Sequence, residues 1–180
     1  MFIKKNKSII IPVFFVFLLV LAFLIPGCSK PKPDGNLAED TAPNIGALAP
    51  EFVLKDLEGN EHKLSDFKGN VVIVNFWTTW CRYCLVEMPY LENLHISQED
   101  VTVIAVNVNE SRSDVQAFIV EQGFSFPVLL DLEGEVSSNY RIRAYPTTFA
   151  ISPEGIISSI KVGAFDAAGL KQLVESARNN

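Results

Sequence analysis

Cys81 and Cys84 stand three residues apart where a strand-like run gives way to a helical pattern, and this junction constrains the chain more than any other feature. Val71-Val72-Ile73-Val74-Asn75-Phe76 is mostly apolar, as expected of a strand covered on both faces. From near Cys81 to about Ile96, Met88, Leu91 and Leu94 recur at three-residue spacing, which predicts a helix; Pro89 inside it should kink it. A helix start offers unpaired backbone N–H groups and the positive end of the helix dipole, and both stabilise a thiolate. Cys81 is therefore expected there, exposed, as the nucleophile that forms a mixed disulfide with substrate. Cys84, one turn further in and more buried, is the resolving thiol. Arg82 adds positive charge beside Cys81.

Two other readings of the pair fit less well. Zinc wants four ligands, usually Cys or His. Only Cys28, His62 and His95 could join Cys81 and Cys84, and none has partner spacing, so no metal is expected. An inert disulfide would close too small a loop to stabilise much. A 180-residue chain can also bury a core without such staples.

The rest of the chain predicts a mixed sheet with helices on it. Phe52-Val53-Leu54 and Glu61 to Leu64 flank a turn at Asp56-Leu57-Glu58-Gly59-Asn60, which predicts an amino-terminal hairpin. Val101 to Val106 is a second buried strand and Phe126 to Leu130 a third. Between them Ser113 with Gln116 reads as a capping box, Val115, Phe118 and Ile119 give a helix its apolar face, and Gly123 ends it. Thr147 to Ile151 and Ile156 to Lys161 flank the turn Ser152-Pro153-Glu154-Gly155. Leu170, Leu173, Val174 and Ala177 mark a closing helix capped by Asp166. Trp77 reads as core. His62, His95, Glu121, Asp131 and the other acids read as surface groups.

The amino terminus reads as an address. Lys4, Lys5 and Lys7 precede an uncharged run from Ile9 to Ile25, the export pattern. Leu24-Ile25-Pro26-Gly27-Cys28 resembles a bacterial lipobox, with Cys28 as the lipidated residue; Pro26 is unusual there. The alternative is an uncleaved span, and either places the domain on the outer face of a membrane. Residues 1–28 are thus the anchor. Residues 29–47, with Pro31, Pro33, Gly35, Pro43 and Gly46, are a flexible tether, and 48–180 the folded domain. Beyond residue 27 the chain sets 12 basic against 21 acidic residues, a net −9, so it gains nothing from a phosphate backbone and nucleic acid is not an expected partner.

The segment Asn75-Phe76-Trp77-Thr78-Thr79-Trp80-Cys81-Arg82-Tyr83-Cys84-Leu85-Val86-Glu87-Met88-Pro89 resembles the active-site region of TlpA/ResA-like thioredoxin-fold proteins. The resemblance runs from about Ile45 to the end and includes Gly46-Ala47-Leu48-Ala49-Pro50-Glu51-Phe52 and Ala144-Tyr145-Pro146-Thr147-Thr148. It implies an α/β thioredoxin-like fold, a mixed central sheet flanked by helices with an amino-terminal β-hairpin extension. It implies that Pro146 is cis and lies against the cysteines, and that backbone at Tyr145 pairs with an extended substrate strand, with Trp80 as a further substrate contact. Ordinary thioredoxins carry a buried Asp where Asn75 stands. ResA-like members instead have an acid three residues after the second cysteine, matching Glu87, which is expected to assist proton movement at Cys84 or to contact substrate. Arg82-Tyr83 departs from the Gly-Pro or Glu-Pro common in relatives, and the pair between the cysteines tunes the potential.

The resemblance implies reduction of disulfides in exported proteins, such as apocytochrome c in cytochrome c maturation or secreted and spore-envelope proteins. A membrane thiol-transfer protein would recharge the domain, which is expected to act as a monomer. No cofactor beyond the redox-active Cys81–Cys84 disulfide is implied. Three alternatives stay open: a disulfide-forming oxidant on the same site; a peroxiredoxin-like peroxidase, for which Thr78 and Cys81 fit but Val74 stands in place of the required proline; and a binding module whose cysteines only hold a clamp.

Overall fold

A computed structural model describes residues 43–179. The expected anchor 1–28, Cys28 included, and tether residues 29–42 lie outside the described residues. Seven strands follow in chain order: β1 (Val53–Asp56), β2 (Glu61–Lys63), β3 (Val71–Trp77), β4 (Val101–Val108), β5 (Val128–Asp131), β6 (Thr147–Ile151) and β7 (Ile157–Val162). The α-helices are α1 (Arg82–Ser97), α2 (Arg112–Gln122), α3 (Glu135–Asn139) and α4 (Ala167–Arg178), with a short 3-10 turn at Leu64–Phe67. Among the described residues no helix is long and apolar enough to cross a membrane.

The strands form one sheet in the order β2-β1-β5-β4-β3-β6-β7. β3, β4 and β5 run parallel, because helical crossovers α1 and α2 join them. β6 lies antiparallel to β3, β7 to β6 and β1 to β5, so the amino-terminal hairpin extends one edge. Every residue of β3 is buried, as its mostly apolar pattern suggested, and the one polar residue, Asn75, is buried with the rest. Alternation sends Val71, Ile73 and Trp77 into a core with Met88 and Leu91 of α1, Val115 and Ile119 of α2, and Leu170 and Val174 of α4. Val72, Val74 and Phe76 face the opposite core, where the rings of Phe76, Tyr140 and Phe149 pack with centroids 5.0–5.9 Å apart. The buried side chains of all three longer helices join the first core. The second is closed by the leading segment through Ala49 and Phe52, the 3-10 turn and short α3.

Several local expectations need correction. The cap of α2 is Ser111, whose Oγ accepts from the Asp114 N–H at 3.2 Å. Ser113 is already inside the first helical turn, and its hydroxyl bonds that of Ser111 instead. Gly123 ends α2 as expected, in the left-handed region at φ 74°. The tether is not free to residue 47: the Gly46 N–H donates to the Ile157 carbonyl at 2.8 Å and the Ile157 N–H to that of Ala47 at 2.9 Å. Asp131 is no solvated acid. It is buried, and its carboxylate accepts from the N–H groups of Val136 and Ser137, which fixes the start of α3 after left-handed Gly134. His62, half-buried, bonds the Asp56 carboxylate at 2.8 Å inside the hairpin, whereas Glu121 is exposed as expected.

Candidate active site

The β3–α1 junction places the cysteines as their spacing requires. Cys81 is the N-cap of α1 and is joined to Cys84 by a disulfide, with Cα atoms 5.3 Å apart. Its Sγ accepts from the Cys84 N–H at 3.1 Å, a first-turn donor that also reaches the Cys81 carbonyl at 3.0 Å. In the reduced protein the same donor and the helix dipole favour a thiolate at Cys81. Cys81 is not openly exposed, however. It is 6% exposed against 1% for Cys84 in the disulfide-bonded pair. The expected order of accessibility holds, and the absolute exposure does not.

Beneath the pair lies a buried polar set. Glu87, fully buried on α1 and one turn beyond Cys84, accepts from Asn75 Nδ2 of β3 at 2.6 Å and from the Phe165 N–H at 3.3 Å. Asn75 Nδ2 also donates to Thr148 Oγ1 of β6 at 2.8 Å. Burial pushes the Glu87 carboxyl up to about 7, against those two hydrogen bonds and the charge of Lys161. Buried in this way, Glu87 presents no surface to solvent.

A second acid supports the loop before Cys81. Glu110 follows β4, and its carboxylate accepts from the Thr79 N–H at 2.7 Å, the Thr79 hydroxyl at 2.5 Å and Asn107 Nδ2 at 2.6 Å. The Cys81 N–H in turn donates to the Thr78 carbonyl at 3.2 Å. Sequence reasoning missed Glu110 by counting it with the solvated acids. The only available signal was its place just past a buried strand that runs parallel to β3. Four buried side-chain polar atoms have no hydrogen-bond partner among the described residues: Asn75 Oδ1, Trp77 Nε1, Thr78 Oγ1 and Asn107 Oδ1. All four sit at this end of β3 and β4, where imperfect satisfaction is common in functional sites.

The rim brings the remaining predicted residues together. Tyr145–Pro146 is a cis peptide, and the Tyr145 ring lies edge-on to that of Trp80 with centroids 5.9 Å apart. The Pro146 carbonyl is taken by the Gly163 N–H of the β7 end at 2.8 Å. Among the described residues neither the N–H nor the C=O of Tyr145 enters a backbone hydrogen bond. Trp80 is 69% and Tyr83 70% exposed, and Arg82 is exposed between the cysteines. Trp77, by contrast, is fully buried against Phe118. Cys28 lies outside the described residues. Among them, no group of three or more His, Cys, Asp or Glu could hold a metal ion.

Comparison with known proteins agrees with this geometry. Residues 45–160 match the model of the AhpC/TSA family. The chain is 40% identical over 142 residues to the thiol-disulfide oxidoreductase ResA of Geobacillus thermodenitrificans, covering 78% of this chain and 82% of that protein. It superposes on the crystal structure of StoA from Bacillus subtilis with a TM-score of 0.61 at 30% identity, over 69% of this chain and 96% of StoA. The exposed lipoprotein thioredoxin of Streptococcus pneumoniae gives 0.62 at 29% identity, over 70% and 99%.

Proposed function

The chain belongs to the AhpC/TSA family and is a thiol–disulfide oxidoreductase with Cys81 and Cys84 as its redox pair, and from that premise we propose that it reduces disulfides in exported proteins while tethered to the outer face of the bacterial cytoplasmic membrane. The observation that carries the chemistry is a protonatable acid, Glu87, held at about 7 one turn from the resolving cysteine. In the reduced protein the Cys81 thiolate attacks one sulfur of a client disulfide. An S–S bond forms to Cys81, and the other client sulfur leaves as a thiolate that takes a proton. The Cys84 thiol then passes its proton toward Glu87 and attacks the Cys81 sulfur, which re-forms the Cys81–Cys84 bond and releases the second client thiolate. Two electrons move from the pair to the client. The client strand lies along the unpaired backbone of Tyr145 beside Pro146, in the manner of an added sheet strand.

Apocytochrome c is one client class of the right chemistry, since its heme-binding cysteines must be reduced before heme attaches; secreted and spore-envelope proteins are another. Recharging falls to a membrane protein that carries electrons from cytoplasmic thioredoxin. The basic, apolar amino terminus ending at Cys28 supports the tether, as does the name of the pneumococcal neighbour, an exposed lipoprotein. One observation favours the reverse direction: exposed Arg82 sets a cation beside Cys81, which stabilises the thiolate and makes the disulfide more oxidising. The equilibrium reduction potential of the pair separates the two readings. A value below about −230 mV supports an electron donor, and one above about −160 mV means a disulfide-forming oxidant.

A further inference from the structure

Three alternate residues, at the end of β7 and just after it, address the active site. Lys161 of β7 is in register with Thr148 of β6. The Gly163 N–H donates to the Pro146 carbonyl at 2.8 Å, and the Phe165 N–H to the Glu87 carboxylate at 3.3 Å. Strand alternation decides the face that Lys161 occupies. Its neighbour Ile160 packs on the second core, so Lys161 lies on the face of the sheet that carries α1. Side chains directly opposite in an antiparallel pair share a face, with Cβ atoms about 4.5–5.5 Å apart. Thr148 Oγ1 accepts from the same Asn75 Nδ2 that donates to Glu87, so Lys161 stands beside a chain of contacts that ends at the buried acid. Lys161 is exposed, and among the described residues its ammonium has no ion pair. Its charge reaches Glu87 and favours the ionised carboxyl against burial.

We propose that Lys161 is a positioning residue for the resolving step: from the edge strand it holds Glu87 in the form that accepts the Cys84 proton, and so sets the pH at which the pair exchanges disulfides. The inference rests on the reading of Glu87 as that proton acceptor, and it names the group that regulates it. In the step the proton passes from the Cys84 sulfur to a Glu87 oxygen and the Cys84 thiolate bonds the Cys81 sulfur. The client sulfur leaves with the electron pair of the broken bond. The other groups around Glu87 are neutral or engaged elsewhere. On α1, Cys84 and Tyr90 stand one turn to either side. β3 and β6 offer Asn75 and Thr148, which do not ionise, and burial keeps the Tyr145 phenol protonated. Glu110, past the end of β4, is bonded to Thr79 and Asn107, and its charge, like that of Asp131, falls on Tyr145. Asp166 turns to cap α4, accepting from the Gly169 N–H at 2.9 Å, and Lys171 and Glu175 of α4 pair with each other at 3.7 Å. Lys161 is thus the cation that answers the buried carboxylate.

The test uses the reduced full chain in detergent, with oxidised glutathione in enough excess that release of the second glutathione thiol limits the rate. That release is the step Cys84 carries out, and it is followed across pH at low salt and at about 1 M salt, where the screening length falls to about 3 Å. An exposed charge contributes a factor of up to about 5 to an equilibrium, or about 0.7 pH unit. Lys161→Gln should therefore raise the midpoint of the profile by about 0.3 to 0.7 unit and slow release about two- to fivefold on its acid side. Lys161→Glu should raise the midpoint further, Lys161→Arg should restore that of the parent, and the differences should shrink at high salt. In the Glu87→Gln background, Lys161→Gln should no longer move the profile. A midpoint that neither Lys161→Gln nor Lys161→Glu moves, or that Lys161→Gln moves equally in the Glu87→Gln background, overturns the proposal. A Glu87→Gln profile identical to the parent's overturns the reading beneath it as well, which separates the two failures.

Discussion

Replacing Glu87 by Gln tests the buried acid most directly, because its effect on stability must change sign with pH. The ordinary value of the carboxyl is 4.5 and burial pushes it up to about 7. Below pH 4.5 the group is protonated in folded and unfolded chains alike and has no effect on the balance. As pH rises from 4.5 to 7 the unfolded chain ionises while the folded one stays protonated, so the folded state loses stability. Above 7 the loss is complete, about 3 kcal/mol at about 1.36 kcal/mol per pH unit. Gln does not titrate, so the variant escapes that loss. It retains an oxygen for Asn75 Nδ2 but turns its amide N–H₂ toward the Phe165 N–H, losing a hydrogen bond worth about 1 kcal/mol. The variant should therefore be less stable than the parent by about 1 kcal/mol near pH 4, about equal to it near pH 5 and more stable by about 2 kcal/mol at pH 8. Urea unfolding of both oxidised proteins across that range measures the difference. A difference that does not change with pH would show that Glu87 ionises like an exposed acid, and the proton-handling role would go with it.

Three further perturbations probe separate parts of the site. Glu110→Ala leaves the Thr79 N–H, the Thr79 hydroxyl and Asn107 Nδ2 without their acceptor. It should cost about 2–3 kcal/mol, speed hydrogen exchange of the Thr79 amide, and change the pH profile of Cys81 alkylation; an unchanged profile would limit Glu110 to a structural role. Asp131→Ala removes the acceptor of two α3 N–H groups and should cost about 1–2 kcal/mol in urea unfolding while leaving the Cys81–Cys84 potential in place. Cys84→Ser should trap a mixed disulfide between Cys81 and a client peptide, visible by mass spectrometry, whereas Cys81→Ser should not; trapping by the second variant alone would reverse the assigned roles of nucleophile and resolver.

The elements that sequence reasoning found are those whose burial is written in their periodicity. β3 is apolar but for Asn75, α1 repeats Met88, Leu91 and Leu94 on one face, and Asp166 and Gly123 mark helix ends through local chemistry that needs no tertiary partner. The misses share the opposite property. α3 has five residues, too few to show a period, and it is fixed by Asp131, a cap that looked like a solvated acid until the chain folded back on it. Ser111 and Ser113 both fit a capping pattern, and only the path of the backbone out of β4 decides between them. Glu110 and Thr79 are 31 residues apart, so their contact depends on the parallel pairing of β3 with β4 and on no local pattern. The cysteine pair was legible from its place between a strand and a helix, and cis Tyr145–Pro146 and exposed Trp80 because a resemblance supplied their arrangement; the burial of Cys81 was not, since a helix start alone does not show what packs over its first residue.

The position of Asn75 explains why the site can hold its acid on the helix. Asn75 and Glu87 meet at 2.6 Å in a fully buried contact. An acid at 75, as in ordinary thioredoxins, would set two carboxyls at that distance, and like charges so close cannot both ionise. One would stay protonated well above neutral pH, and the proton released by Cys84 would face two coupled acceptors. Asn donates to Glu87 and to Thr148 from one nitrogen, so it ties α1 to β3 and β6 while adding no charge. A single buried acid then remains, one turn from the resolving cysteine, and its carboxyl at about 7 can both take and return a proton near neutral pH. Parallel pairing of β3 with β4 brings Asn107 and Glu110 to the same end of the sheet, and β6 starts there directly after Pro146. The nucleophile, its supporting loop, the proton acceptor and the strand-pairing backbone thus converge because the strand order allows them no other end of the sheet.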